Sequence, residues 1–178
     1  GEIVTLAGES GSGKTTVARM ILRLIEPTSG QIIFNGENAF SYDRREYYRR
    51  IQAIVQDPYS AYNPFYKVDR VLEEVFNLYK DGPSPDKRKE IIARPLMINS
   101  ELVVADEATS MLDASTRAGI LNLLLSLKEN EKLSVLFITH DIAQAQYISD
   151  RVLIMQKGEV VEQGPADRVF LHPMQAYT

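Results

Sequence analysis

Gly8-Glu9-Ser10-Gly11-Ser12-Gly13-Lys14-Thr15 decides how the rest of the chain is read. It satisfies G-x-x-x-x-G-K-[ST], the pattern of a phosphate-binding loop. The apolar run Ile3-Val4-Thr5-Leu6-Ala7 precedes it, and Thr16-Val17-Ala18-Arg19-Met20-Ile21-Leu22-Arg23-Leu24 follows as a helix, so the motif has its strand, loop and helix context. Glycines let successive backbone N–H groups converge on phosphate oxygens, and the helix adds the positive end of its dipole. Gly8, Ser10, Gly11, Ser12 and Gly13 would form the cradle. Lys14 would reach the β- and γ-phosphates, Thr15 would offer its hydroxyl to Mg²⁺, and Thr16 would be a further phosphate donor. The expected ligand is a nucleoside triphosphate. The structural alternative is a glycine-rich turn that happens to precede a lysine, and the flanking elements count against it.

The 178 residues suffice for one substantial core, so a single domain with a small appendage is expected. The net charge of −4 argues against a nucleic-acid surface, where clustered Lys and Arg are needed. With no cysteine, disulfides and cysteine-ligated zinc are excluded. No uninterrupted apolar run approaches the ~18 residues of a membrane span, and no basic-then-apolar leader opens the chain, so any membrane association is expected to come through a partner.

Outward from the loop, Glu26-Pro27-Thr28-Ser29-Gly30 predicts a turn, Gln31-Ile32-Ile33-Phe34 a short antiparallel strand, and Asn35-Gly36 a second turn. Residues 41–50 predict a solvated helix or loop whose charges are surface. Ile51-Gln52-Ala53-Ile54-Val55 predicts a strand ending at Gln56. Residues 59–66 form an aromatic-rich loop, read either as a roof on the core or as a partner-docking surface. Residues 68–76 carry helical spacing, broken at 81–86.

Leu102-Val103-Val104-Ala105 reads as a buried strand closing on Asp106-Glu107. Ser115 is expected to N-cap a helix with a wide apolar stripe of Ile120, Leu121, Leu123, Leu124 and Leu127. Val135-Leu136-Phe137-Ile138 leads as a strand to Thr139-His140-Asp141. A helix to Ile148, a strand at 152–155, a turn at 156–159 and a strand at 160–163 complete the pattern. Alternating strands and helices predict an α/β fold with a mainly parallel sheet, a small antiparallel part, and active residues at strand C-termini.

Those strand ends carry residues suited to one reaction. An aspartate after a buried strand suits Mg²⁺, held directly or through water, which makes Asp106 a metal candidate beside Thr15 and Gln56. Glu107 would orient and polarise a water for attack on the γ-phosphorus, with Gln56 and His140 lining the same space. Phosphoryl transfer needs positioning and charge neutralisation more than covalent help. Glu107, His140, Lys14 and Gln56 are therefore the catalytic candidates.

Together these positions resemble the ATP-binding subunit of ABC transporters, a P-loop NTPase, along nearly the whole chain. The resemblance implies that residues 8–15 are the Walker A motif, Gln56 the Q-loop glutamine, residues 102–106 Walker B, and Glu107 the catalytic glutamate. It makes Ser110-Met111-Leu112-Asp113 the D-loop, with Asp113 at a subunit interface, and Thr139-His140-Asp141 the H-loop, with His140 contacting the γ-phosphate. Val55-Gln56-Asp57-Pro58-Tyr59-Ser60-Ala61-Tyr62-Asn63-Pro64 is similar to the Q-D-P-x-x-S-L-N-P of the oligopeptide, dipeptide and nickel importers. So are Gly158-Glu159-Val160-Val161-Glu162-Gln163-Gly164-Pro165 and the closing His172-Pro173-Met174-Gln175-Ala176-Tyr177-Thr178, near P-x-H-P-Y-T.

What the resemblance implies is an ATPase using ATP and Mg²⁺ on the cytoplasmic face of the cell membrane, as a peripheral subunit of an importer. Its partners would be transmembrane permease subunits, a second ATP-binding subunit, identical or not, and, indirectly, an extracytoplasmic solute-binding protein. The readings weighed against it are a soluble ABC ATPase of DNA repair or translation, a non-catalytic nucleotide-binding module, and a small-molecule P-loop kinase.

The chain also departs from the family. It has no L-S-G-G-Q signature, which the family places before Ile92, and only 50 positions separate Gln56 from Asp106. The family's N-terminal strands, with the aromatic that stacks on adenine, are likewise absent. The expectation is one domain over 1–178, a truncated helical subdomain over about 68–100, and residues omitted between about 85 and 93 and ahead of the first strand.

Overall fold

A computed structural model describes residues 1–54, 100–109 and 114–178. Its strands are β1 (Ile3–Ala7), β2 (Ile33–Phe34), β3 (Glu37–Asn38), β4 (Ile51–Ile54), β5 (Leu102–Asp106), β6 (Ser134–Thr139), β7 (Arg151–Gln156) and β8 (Glu159–Pro165). Its helices are α1 (Lys14–Ile21), α2 (Arg44–Arg50), α3 (Ala114–Glu131), α4 (Ile142–Ile148) and α5 (Ala166–Leu171).

The main sheet has the order β4-β5-β6-β1-β7-β8, parallel except that β8 runs antiparallel to β7. The small antiparallel part is β2 with β3. Both hairpins turn on a residue pair with positive φ, Asn35-Gly36 and Lys157-Gly158, the backbone that matches the strands' right-handed twist. The α/β class, the mainly parallel sheet and the small antiparallel pair are thus as expected.

β1 is apolar but for Thr5 because parallel strands are covered on both faces, and Ile3, Thr5, Leu6 and Ala7 are buried. On one face Leu6, Val104, Ile138 and Met155 pack with Ala18 of α1, Leu22 just after that helix and Tyr47 of α2. On the other, Ala7, Val152 and Ile154 pack with Val169 of α5. Thr5 is wholly buried, and its hydroxyl is satisfied by that of Ser149.

Several local expectations need correcting. α1 ends at Ile21, not Leu24, because Arg23 adopts φ 54 and the chain turns. Its last carbonyls, which a helix end leaves unpaired, accept hydrogen bonds from tyrosine hydroxyls: Tyr47 to Ile21 at 2.7 Å and Tyr48 to Leu22 at 2.8 Å. The segment read as solvated therefore supplies a fully buried residue, Tyr47. Asp43 caps α2 by accepting from the N–H groups of Glu46 and Arg45, bonds that hold its carboxyl below the usual carboxylate range.

Ser115 lies inside α3, after its first residue, and is not its N-cap. The apolar stripe of α3 is narrower than expected: Leu121 and Leu124 are buried, whereas Leu123 is half exposed, since 3.6 residues per turn cannot bring three consecutive leucines to one face. The last strand extends to Pro165, and α5 follows it unforeseen. Gln56, the loop at 59–66, the helical subdomain and the stretch 110–113 with Asp113 lie outside the described residues.

Candidate functional site

Parallel pairing puts the C-terminal ends of β1, β5 and β6 on one edge of the sheet. Ala7 lies beside Thr139 and Asp106 beside Ile138, so Gly8, Glu107 and His140 emerge from three neighbouring strands. The acid after β5 stands two strands from the loop after β1.

Gly8, Gly11 and Gly13 all have positive φ. Gly8 has a second constraint, because a Cβ there would lie 2.2 Å from the carbonyl oxygen of Met155. The β7–β8 turn backs the loop from behind, with the N–H of Gly158 donating to the carbonyl of Ser12 at 2.9 Å. Gly13 occupies the N-cap of α1, which no side chain caps, leaving the helix's first N–H groups for an anion.

Ser12 and Lys14 are buried. The Lys14 ammonium donates to the carbonyls of Gly8 at 2.8 Å and Glu9 at 2.7 Å, and to the Ser12 hydroxyl at 3.4 Å. Burial lowers its pKa from the usual lysine value, and the carboxylates of Glu107 and Asp106 oppose that shift. Ser10, Gly11, Thr15 and Thr16 are exposed along the rim.

Thr15 Oγ1 donates to Asp106 Oδ1 at 3.4 Å. Burial pushes the Asp106 carboxyl up; the Thr15 hydrogen bond opposes this and the neighbouring Glu107 charge adds to it. A cation beside Asp106 would relieve the strain of an ionised, part-buried carboxylate. No group of three or more His, Cys, Asp or Glu able to hold a metal exists among the described residues. Two oxygen donors without a cage fit Mg²⁺, which is characteristically held by one or two carboxylates together with substrate phosphates.

Glu107 has φ 48, uncommon for a residue with a side chain, and its N–H donates to the carbonyl of Ile138 at 2.9 Å. The turn aims its carboxylate at His140, with Nδ1 3.0 Å from Oε1. Behind the pair, Asp141 caps α4 and borders a small cleft with Arg117 and Gln144. Burial alone would raise the Asp141 pKa, but hydrogen bonds from the side chain and N–H of Gln144 and the Arg117 charge hold it below the usual value. The buried hydroxyl of Thr109 donates to Gln144 Oε1, so one buried amide links the segment after Glu107 to the helix after His140.

Of the residues selected from sequence, Lys14, Thr15, Asp106, Glu107 and His140 converge on this edge, and Gln56 lies outside the described residues. Sequence reasoning missed Met155 and Gly158 behind the loop, and Thr109 and Gln144 beneath the acid. No motif marks the last two; only burial reveals them.

A family model described as ABC transporter matches residues 1–110. The chain belongs to the ABC transporter family. It is the ATPase part of such a system, a P-loop domain. This ABC ATPase is 35% identical over 213 residues to the oligopeptide transport ATP-binding protein OppF of Bacillus subtilis, covering all of the chain and 70% of the relative. It is 36% identical over 211 residues to a putative peptide import ATP-binding protein of Brucella ovis, covering all of the chain and 67% of the relative. Both alignments run longer than 178 residues, so each relative has segments without a counterpart here. In fold, the ABC ATPase matches the dimeric post-hydrolysis structure of the ATP-binding cassette MJ0796 bound to ADP and Pi. The TM-score is 0.78 at 24% identity, covering 93% of this chain and 85% of the other.

Proposed function

We propose that this chain hydrolyses ATP to drive a peptide importer, acting at the cytoplasmic face of the membrane against transmembrane permease subunits. Among the described residues no helix is long and apolar enough to cross a membrane, which fits a subunit that docks on others. The importer reading rests on relatives named for oligopeptide and peptide import. A second ATP-binding subunit, identical or not, would close with this one on two nucleotides, and a solute-binding protein would deliver the peptide outside.

The reaction reading is carried by one observation: the Glu107–His140 pair at 3.0 Å stands beside the Thr15–Asp106 pair, next to the loop that holds Lys14. Main-chain N–H groups of the loop and the Lys14 ammonium would hold the triphosphate and take up charge as it develops on the γ-phosphoryl group. Thr15 and Asp106 would hold Mg²⁺, which supplies Lewis-acid neutralisation of phosphate oxygens when bound. The Glu107 carboxylate would accept a proton from the attacking water as its oxygen bonds to phosphorus and the bond to ADP breaks. His140 would orient Glu107 and offer a donor towards the γ-phosphate. Gln56 is proposed as a further ligand-side residue on its motif alone.

The test reconstitutes the full-length protein with its permease and measures uptake of a labelled oligopeptide with ATP hydrolysis. Coupled uptake is expected. Hydrolysis that no peptide or permease influences would overturn the importer reading.

A further inference from the structure

The stretch after α5, His172-Pro173-Met174-Gln175-Ala176-Tyr177-Thr178, has no part in the reaction as described, yet it reaches the phosphate-binding loop. The N–H of Glu9 donates to the Tyr177 hydroxyl at 3.0 Å, across 168 positions of sequence. That N–H belongs to the same peptide unit as the Gly8 carbonyl, which accepts from the Lys14 ammonium at 2.8 Å. A trans peptide points its N–H and C=O in opposite directions, so this one unit is held on one edge by Tyr177 and on the other by Lys14. Hydrogen bonding at the N–H also polarises the amide and strengthens its carbonyl as an acceptor.

This segment is itself tied down. The Glu162 carboxylate on β8 accepts from the N–H of Met174 at 2.7 Å and of Gln175 at 3.2 Å, and the N–H of Thr178 closes a turn on Gln175. The Tyr177 ring packs against the cluster of Ala7, Val152, Ile154 and Val169, and Ala7 is the residue from which the loop departs. A Cβ at Gly8 would lie 2.2 Å from the Met155 carbonyl oxygen, so only glycine fits where this peptide begins. The Gly8–Glu9 peptide is therefore held at both its N–H and its carbonyl.

We propose that Tyr177 is a positioning residue for nucleotide binding: its hydroxyl fixes the Gly8–Glu9 peptide whose carbonyl anchors the Lys14 ammonium at the phosphates. The segment after α5 thereby acts on ATP affinity without touching the nucleotide. This rests on the chain binding ATP through the loop.

Tyr177→Phe keeps the ring and its packing and removes the acceptor. In the full-length protein it should raise the Kd for ATP, and the KM, by about two- to tenfold, the worth of one hydrogen bond. It should raise KM more than it lowers kcat, lower the melting temperature by no more than about 4 °C, and speed hydrogen exchange at the Glu9 amide. Tight wild-type binding that Tyr177→Phe matches within error, or a Glu9 amide that exchanges equally fast in both proteins, would overturn the role of Tyr177 alone. A wild-type protein that binds no ATP would sink the nucleotide reading and this inference with it.

Discussion

The two halves of the site are built from different material. Around β1 the recognition surface is main chain: glycines with positive φ, uncapped helix N–H groups, and carbonyls that hold a lysine in place. Around β5 and β6 it is side chains brought together from distant sequence, Asp106, Glu107 and His140. A main-chain surface is committed to one ligand shape before the ligand arrives, whereas a side-chain surface can be edited one group at a time. The first half should govern whether nucleotide is held, and the second whether it is cleaved.

Lys14→Ala tests that division most severely. It should lower both ATP binding and turnover, with turnover down by about 10²–10³, read by nucleotide titration and phosphate release. Glu107→Gln should lower turnover by a similar order, about 10²–10⁴ as for loss of a general base, while ATP remains bound in a filter or equilibrium-dialysis assay. If the glutamine variant lost ATP as completely as the alanine variant at Lys14, the division between holding and cleaving would fail.

Asp106→Asn sharpens the boundary between the halves. Burial raises the Asp106 pKa in the fold, so its ionisation opposes folding: the contribution favouring the folded state is present below the unfolded value, near about 4, and is lost as pH rises through the folded value. The nucleotide-free asparagine variant should therefore melt higher than wild type at neutral pH, with the gap closing in acid, while Mg²⁺-dependent hydrolysis collapses. Tyr47→Phe should have the smallest effect, destabilising by about 1–2 kcal/mol in urea denaturation because the Ile21 carbonyl at the end of α1 loses its donor. The catalytic constants should move little.

These halves were not equally legible. The loop could be read directly, since its spacing of Gly8, Gly13 and Lys14 is itself the mechanism. The reacting residues were legible as strand ends, because an apolar run followed by acids marks where a buried strand emerges. What could not be read was support from a distance: Tyr47 looked like one more polar residue in a charged segment, and only the fold shows it meeting the orphan carbonyl of α1. Thr109 and Gln144 carry no local pattern. Ser115 misled because a good capping residue next to a helix start need not be the cap. The strand order was likewise invisible, since no periodicity states which strand lies beside which.

That order sets a timetable for the molecule's own birth. Ile3 lies beside Val135 and Val4 beside Arg151, so this strand is made before both its partners and must wait for them. At translation speeds of roughly 5–20 residues per second the wait is on the order of 10 s, during which an apolar strand has no sheet to join. Such non-local pairing is slow to form, and the support that Gly158 gives the nucleotide cradle cannot exist until the β7–β8 turn has been made.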